Sequence, residues 1–279
     1  MKYRQFTVFA TSVAALGAAS PAFAQTDAKP FEGIYVGGSF GYDVQPNDVG
    51  SRILFDRNLD GNFNDTVTTA AGANAFSPGF CNGAAIANVP TPGCTNDRDG
   101  IDYAGRIGFD VQQGVLVAGI VGEIGKSEVR DSVSAFSTTP ASYTMTRKVD
   151  YNASLRGRVG YAANTTLFYA TGGVAYAKIK STFTTTNTAN AFAGRGKDDR
   201  WGVALGGGIE QKLGRNFSIG MEYLYNRFRD NDYRVRATAG SAPATNPFIL
   251  APNTTGTDFR RSDRNFAWHS VRAVAAFRF

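Results

Sequence analysis

The last seventeen residues constrain the fold most, because they form a long amphipathic strand that ends on an aromatic residue. Every second residue is apolar, namely Phe279, Phe277, Ala275, Ala273 and Val271. Arg278 and Arg272 lie on the opposite face, since successive side chains alternate across a strand. A soluble sheet seldom exposes a terminal Phe-x-Phe, whereas a closed barrel pairs its edges and turns aromatic side chains to lipid. The pattern predicts the closing strand of a transmembrane β-barrel.

The first 24 residues have the features of a secretory signal peptide. Lys2 and Arg4 give a positive start, residues 6–19 contain no charge, and residues 22–24 match a small-x-small cleavage pattern. An amphipathic surface helix is the alternative. We expect cleavage after residue 24, a short periplasmic segment over residues 25–32 and one barrel domain over residues 33–279.

The composition bounds the class of protein. After residue 25 no stretch approaches the ~18 consecutive apolar residues of a spanning helix, and the mean hydropathy is −0.22. A membrane location would therefore require a barrel, whose alternating strands keep window-averaged hydropathy low. The pI near 9.3 does not indicate nucleic acid, because the basic residues are interleaved with acids and no base-stacking motif stands out.

Eight segments alternate between apolar and polar residues with the period of a strand. They lie at residues 33–44, 101–111, 115–129, 149–161, 167–183, 201–213, 217–227 and 263–279. The facing of the fifth segment stays ambiguous, because its apolar residues share a parity with two lysines. These residues are Phe168, Val174, Tyr176, Lys178 and Lys180.

Short and long connections alternate strictly between these segments. The tight turns lie near residues 113, 164 and 215, and the long connections span residues 45–99, 130–147, 184–199 and 229–262. Outer-membrane barrels combine short periplasmic turns with long outer loops, whereas a soluble lipocalin-type barrel buries apolar residues inside. The signal peptide, the terminal Phe and the loop asymmetry favour lipid outside. The sequence therefore predicts an all-β, eight-stranded antiparallel up-and-down transmembrane barrel.

One parity of the strands contains the charges, and we expect these side chains to fill the lumen, since eight strands enclose little more space. The candidates are Asp102, Arg106, Asp110, Glu123, Asp150, Arg156, Arg158, Glu210, Lys212, Glu222, Arg272 and Arg278. Buried charges must pair to offset their desolvation, so salt-bridge networks are favoured over an open pore. Candidate pairs join Arg156 and Arg158 to Glu210 or Glu222. A narrow ion path is the alternative.

Five motifs occur in order along the strands. They are Gly-Ile-Tyr-Val-Gly-Gly at 33–38, Tyr-Ala-Thr-Gly-Gly-Val-Ala-Tyr at 169–176, Gly-Gly-Gly-Ile-Glu at 206–210, Met-Glu-Tyr-Leu-Tyr at 221–225, and Ser-Val-Arg followed by Phe-Arg-Phe at 270–279. With the terminal Phe, they resemble the OmpA-like family of small outer-membrane β-barrels, which includes porin-family surface proteins. The resemblance implies a location in the outer membrane of a Gram-negative bacterium, in contact with lipid and lipopolysaccharide. It also implies insertion by the assembly machinery, which recognises a last strand ending at Phe277 and Phe279. Nothing follows Phe279, so we do not expect the peptidoglycan-binding domain of OmpA itself.

The first long connection contains a run of oxygen-bearing side chains that resembles a calcium loop. They are Asp56, Asn58, Asp60, Asn62 and Asn64, with Gly61 at position six of the D-x-[DN]-x-[DN]-G spacing. Position twelve is Val67, where a bidentate Glu belongs. Weak calcium binding is one interpretation, and a turn rich in Asn, Asp and Gly is the other.

Cys81 and Cys94 are the two cysteines of the chain, and twelve residues separate them in the same connection. A chain exported through an oxidising periplasm is expected to join them in a disulfide.

Catalysis is not expected. The single histidine, His269, is followed by Ser270, but adjacent strand residues point to opposite faces and cannot form a nucleophile–base pair directly. We expect His269 in the outer interfacial belt. The prediction is a non-enzymatic outer-membrane barrel with a structural or surface role in the envelope; a monomer is favoured, but the sequence does not determine the oligomeric state. A narrow porin and a surface-binding protein acting through its long loops are the alternatives.

Overall fold

The computed structural model describes residues 29–46 and 50–279. The described residues form strands β1 (Gly33–Val44), β2 (Ile53–Asp56), β3 (Gly79–Asn82), β4 (Ala84–Ala85), β5 (Cys94–Thr95), β6 (Gly100–Gln113), β7 (Leu116–Ser127), β8 (Arg130–Ser137), β9 (Ala141–Ala163), β10 (Thr166–Thr185), β11 (Ala191–Arg195), β12 (Asp199–Lys212), β13 (Phe217–Arg229), β14 (Arg234–Thr238), β15 (Thr257–Arg261) and β16 (Asn265–Arg278), with a 3-10 helix at Pro247–Ile249. The expected signal peptide lies outside them. In this part of the chain, no helix has the length and apolarity to span a membrane.

Eight long strands close into an antiparallel barrel. Neighbours pair in the order β1, β6, β7, β9, β10, β12, β13 and β16, and β16 pairs back onto β1. Because neighbours in the barrel follow one another along the chain, the topology is up-and-down, which confirms the predicted fold class. Each of the eight predicted segments corresponds to one barrel strand. The fourth and fifth extend beyond their predicted outer ends, to Ala141 and Thr185.

The hydrogen-bonded ladder climbs as it passes around the barrel. Starting from Ile34 of β1, successive directly opposed residues lead through Phe109, Tyr225 and His269 back to Val44 of β1. A shift from residue 34 to residue 44 on one strand corresponds to strands tilted by about 40° from the barrel axis. This stagger determines which inward side chains meet across the lumen.

The outward face of the barrel is apolar and exposed. Phe40 of β1 and Leu116 of β7 are 62% and 65% exposed, and other outward residues of these strands are similar. Aromatic residues cluster near both ends, namely Phe109, Phe168, Phe217, Phe277 and Phe279 near the tight turns, and Tyr42, Tyr103, Tyr151, Tyr176, Trp201 and Tyr225 near the long connections. An apolar band between two aromatic girdles is the surface that such a barrel presents to lipid.

The structure resolves the facing of β10, which the sequence left open. Phe168 and Val174 face outward and are exposed, whereas Ala175 and Ala177 are buried inside the barrel. Lys178 and the other outward lysine of this strand lie at its outer end, beyond the apolar band.

A bulge interrupts the ladder between β9 and β10, where the pairing passes from Tyr151 to Val149 and skips Asp150. Such an extra residue inverts the alternation beyond it. Val149 is therefore buried inside, whereas Asp150 points outward and forms an ion pair with Lys180 at 2.9 Å. The prediction that Asp150 is an interior charge is wrong, because it assumed that the alternation of the strand continues unbroken, whereas the bulge reverses it.

The four long connections form an ordered cap on the outer end of the barrel. Strands β11, β14, β15 and β2 make a four-stranded sheet, while β8 and β3 extend the wall formed by the outer part of β9. These strands lie within or next to the predicted loop ranges and were not predicted themselves. In β8, six consecutive residues from Asp131 to Phe136 are buried, so the alternation that marks a strand is absent.

An aromatic cluster forms the core of this cap. Its rings are Phe55, Phe76, Tyr143, Phe248 and Phe259, all buried, with centroids 4.4–6.5 Å apart. Aromatic pairs at such separations stabilise a core beyond the burial of their area. The cap therefore has its own hydrophobic core.

The disulfide predicted from the sequence is confirmed. Cys81 at the end of β3 is bonded to Cys94 at the start of β5, and Cys94 lies opposite Ala85 in the β4–β5 hairpin. The bond attaches this hairpin to the strand that β8 pairs with. The β4–β5 hairpin of the first connection is thereby tied to the barrel wall.

Candidate functional site: a charged lumen beneath an outer cap

The centre of the lumen contains one network of three arginines and three acids. Its members are Arg106, Arg156, Arg272, Asp102, Glu123 and Glu222, and their side chains are buried. The ladders explain two of the contacts, because Arg106 is directly opposite Glu123 on β6 and β7, and Arg272 is directly opposite Glu222 on β16 and β13. Directly opposed side chains lie close enough to bond.

Each arginine of this network contacts more than one carboxylate. Arg106 Nη2 lies 2.7 Å from Glu123 Oε2 and 2.7 Å from Glu222 Oε1. Arg272 Nη2 lies 2.7 Å from both of these glutamates, and its Nη1 lies 3.2 Å from Asp102 Oδ2. Arg156 bridges the same glutamates at 3.1 and 3.5 Å. Three positive and three negative charges are thus neutralised where water is scarce, which is what buried ions require.

A second network lies closer to the tight turns. Arg158 contacts Asp110 at 2.8 Å and Glu210 at 2.9 Å, and Arg278 contacts the same two acids at 3.0 and 3.5 Å. Ser218 also donates to Glu210 at 2.8 Å. Two arginines and two carboxylates therefore balance at this level as well.

Aromatic rings and the N-terminal segment close the periplasmic end of the lumen. The Arg158 guanidinium lies 5.3 Å from the ring centroid of Tyr35 and 4.5 Å from that of Tyr169. Phe31, which precedes β1, is fully buried, and its carbonyl oxygen accepts a hydrogen bond from Arg278 Nη1 at 2.7 Å. The side chains that make these cation–π contacts and this hydrogen bond occupy the periplasmic opening of the lumen.

An apolar layer closes the outer end of the lumen. Phe228, Phe266 and Trp268 are fully buried, and the Trp268 ring lies 5.1 and 5.3 Å from the other two. Val149 and Ile179, just beyond the bulge, are buried in the same cluster. An ion crossing this layer would lose its hydration without a charged partner, which is costly.

A third charged group joins the barrel to the cap above the apolar layer. Arg147 is buried, and it contacts Asp131 and Asp263 at 2.6 Å each and Asp230 at 3.3 Å. Arg261 of β15 bonds to Asp131 at 2.5 Å. These residues were missed by sequence reasoning, because Arg147 lies beyond the bulge and its partners lie in the long connections. No local sequence signal marks them, since only the folded connections bring them together.

The space left between the side chains of the central network is small. A cavity of about 10 Å³ lies between Asp102, Glu123, Asn226, Ser270 and Arg272. Such a volume has room for about one water molecule. At this level the described lumen is packed, not open.

The structure places ten of the twelve lumen candidates inside the barrel. Lys212 lies at the tight turn, where its Nζ donates to the Arg215 carbonyl at 2.6 Å. The ten are Asp102, Arg106, Asp110, Glu123, Arg156, Arg158, Glu210, Glu222, Arg272 and Arg278, and Asp150 is the second exception. Two candidate pairs are contacts in the structure, namely Arg156 with Glu222 and Arg158 with Glu210.

The segment that resembles a calcium loop forms a compact turn. Both carboxylate oxygens of Asp56 accept backbone N–H groups, from Asp60 at 3.1 Å and Gly61 at 2.9 Å, and Asp60 accepts from Asn62 at 2.7 Å. Val67, at position twelve, is buried in the cap core. These bonds are those of Asn/Asp-rich turns, and calcium binding by this segment stays a prediction.

His269 and Ser270 lie on opposite faces of β16. His269 Nδ1 is 2.7 Å from the hydroxyl of Tyr223 on the outer surface, and its ring lies 5.2 Å from Tyr225. Ser270 is buried in the lumen, where Asn226 Nδ2 donates to its hydroxyl at 3.1 Å. The nucleophile–base pair of an outer-membrane hydrolase therefore cannot form between these two residues.

In the cap, burial and the nearby Asp131 carboxylate raise the pKa of Asp97 to about 6. Its Oδ1 accepts a hydrogen bond from the backbone N–H of Ser132 at 2.8 Å, which opposes the shift only in part. A carboxyl group with such a pKa changes charge in mildly acidic surroundings.

The lipid-facing band, the two aromatic girdles and the charge-filled lumen define an outer-membrane β-barrel protein. The chain belongs to the family described as "Outer membrane protein beta-barrel domain", whose model matches residues 10–242. It is therefore an outer-membrane β-barrel protein of the cell envelope of a Gram-negative bacterium.

Curated relatives share part of the sequence. A 22 kDa outer membrane protein of Rhizobium leguminosarum bv. viciae is 29% identical over 163 residues, which cover 58% of this chain and 68% of that protein. A 31 kDa outer-membrane immunogenic protein of Brucella melitensis is 34% identical over 111 residues, 39% of this chain and 46% of that protein. A 25 kDa outer-membrane immunogenic protein of Brucella abortus is 30% identical over 135 residues, with coverages of 47% and 54%. The matches to the two Brucella proteins thus span about half of their length.

Among solved structures, the outer membrane protein OprG from Pseudomonas aeruginosa has a TM-score of 0.47 and 12% identity, with 89% of this chain and 96% of that chain covered. The outer membrane protease OmpT from Escherichia coli has a TM-score of 0.36 and 12% identity, with coverages of 91% and 99%.

Proposed function

We propose that this protein is a non-conducting, non-enzymatic barrel that contributes to the integrity of the outer membrane and holds a rigid cap at the cell surface. The observation that supports this proposal best is the packing of the lumen. Two balanced charge networks, an apolar layer and the Arg147 group follow one another along it. Among the described residues, the lumen side chains bond to one another and present no row of free ligands to a passing ion.

The porin alternative requires an ion to compete with the protein's own ion pairs. Glu222 contacts three arginines, at 2.7, 2.7 and 3.5 Å, so a cation would have to displace guanidinium groups that already neutralise it. Displacing a guanidinium group leaves it buried without a partner, which costs about 3–5 kcal/mol. A filled lumen therefore favours the structural role over conduction.

The experiment is single-channel recording of the refolded protein in a planar bilayer. The wild type is expected to insert without discrete openings. The Glu222→Ala/Arg272→Ala variant, which removes two central side chains, should show more leak than Arg227→Ala, an outward substitution on the same barrel. Reproducible wild-type openings whose conductance changes in Arg156→Ala would overturn the proposal.

Catalysis has little support from the geometry. The one histidine of the chain faces outward among tyrosines, and the neighbouring serine hydroxyl is buried and bonded to an amide. Incubation with phospholipid or peptide substrates should give turnover no higher than a His269→Ala variant. A rate that depends on His269 would contradict the non-enzymatic assignment.

The ordered cap favours a second role at the cell surface. Its sheet, aromatic core and disulfide hold the connections in one arrangement, and two relatives are named immunogenic outer-membrane proteins. We infer that the cap presents fixed epitopes. Antibodies raised against the refolded protein should label intact cells, and Cys81→Ser/Cys94→Ser should weaken labelling by antibodies specific for the first connection. Unlabelled intact cells would contradict surface presentation.

Four expectations accompany this proposal. We expect a monomer, since the barrel closes on its own strands and needs no strand from a second chain. The assembly machinery inserts it through the strand that ends at Phe279, and lipopolysaccharide surrounds its outer half. Calcium binding at Asp56–Asn64 is tested by a calcium-dependent rise in thermal stability that Asp56→Ala abolishes.

A further inference from the structure

Four cationic side chains form one row across the outer surface of the barrel. Arg98 is directly opposite Arg130, Arg130 is directly opposite Lys148, and Lys148 is directly opposite Lys180. Directly opposed residues of antiparallel strands point to the same face, with Cβ atoms about 5 Å apart. The row therefore crosses three strand spacings, or about 14 Å.

The row lies on the lipid-facing side of the barrel wall. Arg130, Lys148 and Lys180 are exposed, whereas the residues next to them in their strands, such as Val149 and Ile179, are buried inside. The bulge at Asp150 is what brings Lys148 to the outside, since it inverts the facing of β9.

The height of the row follows from the ladders. Lys126 is directly opposite Tyr103 and Lys178 is directly opposite Tyr151, so a lower pair of cations lies level with the outer aromatic girdle. The row of four lies beyond this level, towards the cap. Aromatic girdles mark the boundary between hydrocarbon and head groups, so the row lies at the level of the head groups.

Three of the four cations of the row, Arg98, Arg130 and Lys148, form no ion pair among the described residues. The fourth, Lys180, pairs with Asp150 at 2.9 Å. Like charges placed directly opposite each other are destabilising. A bound anion would relieve this repulsion.

A cleft borders the Arg98 end of the row. It has a volume of about 610 Å³ and is lined by Arg98, Arg130 and the outward side chains of Tyr42 and Ile101. Three acids also line it. Asp97 accepts from the Ser132 N–H and Asp99 from the Gln45 N–H, whereas Glu128 is exposed. Because these acids outnumber the two arginines of the cleft, a bound anion would lie on the outward row itself, and the cleft adds the apolar side chains of Tyr42 and Ile101 beside its Arg98 end.

We propose that the basic row Arg98–Arg130–Lys148–Lys180 binds the phosphate groups of lipopolysaccharide in the outer leaflet. Arginine and lysine are the side chains that bind phosphate, arginine as a bidentate donor and lysine as a point charge. Phosphate oxygens satisfy the row from outside, while the acyl chains of the same molecule lie along the apolar band below it. The proposal depends on the membrane location and the outward face, not on whether the lumen conducts.

The experiment measures lipopolysaccharide binding to the full-length mature protein refolded in detergent. The variant Arg98→Gln/Arg130→Gln/Lys148→Gln/Lys180→Gln removes the four charges while keeping side-chain length. The control, Arg227→Gln/Arg229→Gln, removes two exposed cations at the outer end of β13, on another part of the wall. Heat-modifiable migration, which reports a closed barrel, verifies that each variant folds.

We expect the wild type and the control to bind intact lipopolysaccharide with affinities within about two-fold of each other. The row variant should bind at least ten-fold more weakly, and the wild type should bind dephosphorylated lipopolysaccharide as weakly as the row variant binds the intact lipid. Equal affinities of row variant and wild type would overturn the proposal. So would undiminished binding of the dephosphorylated lipid, or binding of a soluble sulfated polysaccharide in place of the lipid.

Discussion

Glu222 and Arg272 are directly opposed on β13 and β16, and Glu222 Oε1 lies 2.7 Å from Arg272 Nη2. The pair is the centre of the lumen network, because Glu222 also contacts Arg106 and Arg156. We predict that Glu222→Ala lowers the free energy of unfolding by about 3–5 kcal/mol, since three buried guanidinium groups lose a shared partner. Urea unfolding in lipid vesicles, followed by tryptophan fluorescence, measures this loss.

The matched control for that prediction is Arg227→Ala, which removes an outward charge from the same strand. Its unfolding midpoint should stay close to that of the wild type, because exposed charges contribute little. A Glu222→Ala midpoint equal to that of this control would show that the lumen network is not stabilising.

Gly108 is directly opposite Tyr35, whose ring occupies the place of a side chain at residue 108. A Cβ atom there would lie 2.2 Å from Tyr35 Cζ, and the ring cannot move freely between Arg158 and Arg278. We predict that Gly108→Ala lowers stability by about 1–3 kcal/mol through overpacking. Gly105→Ala on the same strand meets no heavy atom within 4 Å and is the control. Equal folding yields of the two variants, judged by heat-modifiable migration, would contradict the packing argument.

The disulfide should stabilise the cap without being needed by the barrel. Cys81→Ser/Cys94→Ser removes a cross-link over a sequence separation of 13 residues, worth about 3 kcal/mol on a chain-entropy model. We predict unchanged heat-modifiable migration and faster proteinase K cleavage between β3 and β6. Cleavage sites can be mapped by mass spectrometry. A cleavage pattern identical to that of the oxidised wild type would show that the cap is held without the bond.

Phe279 is the most exposed aromatic residue of the barrel end, at 73%, and its backbone N–H donates to the Ile34 carbonyl at 2.9 Å. Deletion of Phe279 is predicted to reduce the heat-modifiable protein in the outer-membrane fraction while export to the periplasm continues. Phe217→Ser is the control, because it removes an aromatic residue of the same girdle, opposite Phe277, without changing the end of the chain. Normal assembly after the deletion would contradict a recognition role for the terminal residue.

The raised pKa of Asp97, about 6, predicts a pH dependence of cap stability. Because this pKa is above the usual value of 3.8, the folded protein binds a proton more readily than the unfolded chain between these pH values. The contribution of protonated Asp97 to the free energy of unfolding is therefore fully present at low pH, and it is lost as the pH rises from about 4 to 6. Asp97→Asn should raise the melting temperature at pH 7 relative to the wild type and have little effect at pH 4. The same difference at both pH values would contradict the shift.

The barrel strands were predictable because each alternates between two contrasting environments, lipid outside and charges inside. β1 has the predicted bounds, and β6, β12 and β13 differ from their predicted bounds by one or two residues. The pairing of Arg158 with Glu210 was foreseen as a candidate, since both were expected to lie in a narrow lumen. Features that follow from the alternation of apolar and polar residues, namely the strand positions and the lumen charges, were therefore predictable from the sequence.

The cap was not predictable by the same reasoning. Its strands are short or buried on both faces, as β8 is, so their sequences lack a period of two. The Arg147 group joins β9 to acids from three other parts of the chain, at residues 131, 230 and 263. Only the folded connections bring these residues together, and no local pattern marks them.

The bulge at Asp150 divides β9 into two segments of opposite phase. Deleting this one residue would restore a continuous phase, turning Arg147 towards the lipid side and Lys148 into the protein interior. The inner part of β9, in the barrel, and its outer part, below the cap, therefore face opposite ways for the same sequence parity, because one extra residue separates them. One extra residue thus lets the same strand line the charged lumen in its inner part and hold the ion pairs that join the barrel to the cap in its outer part.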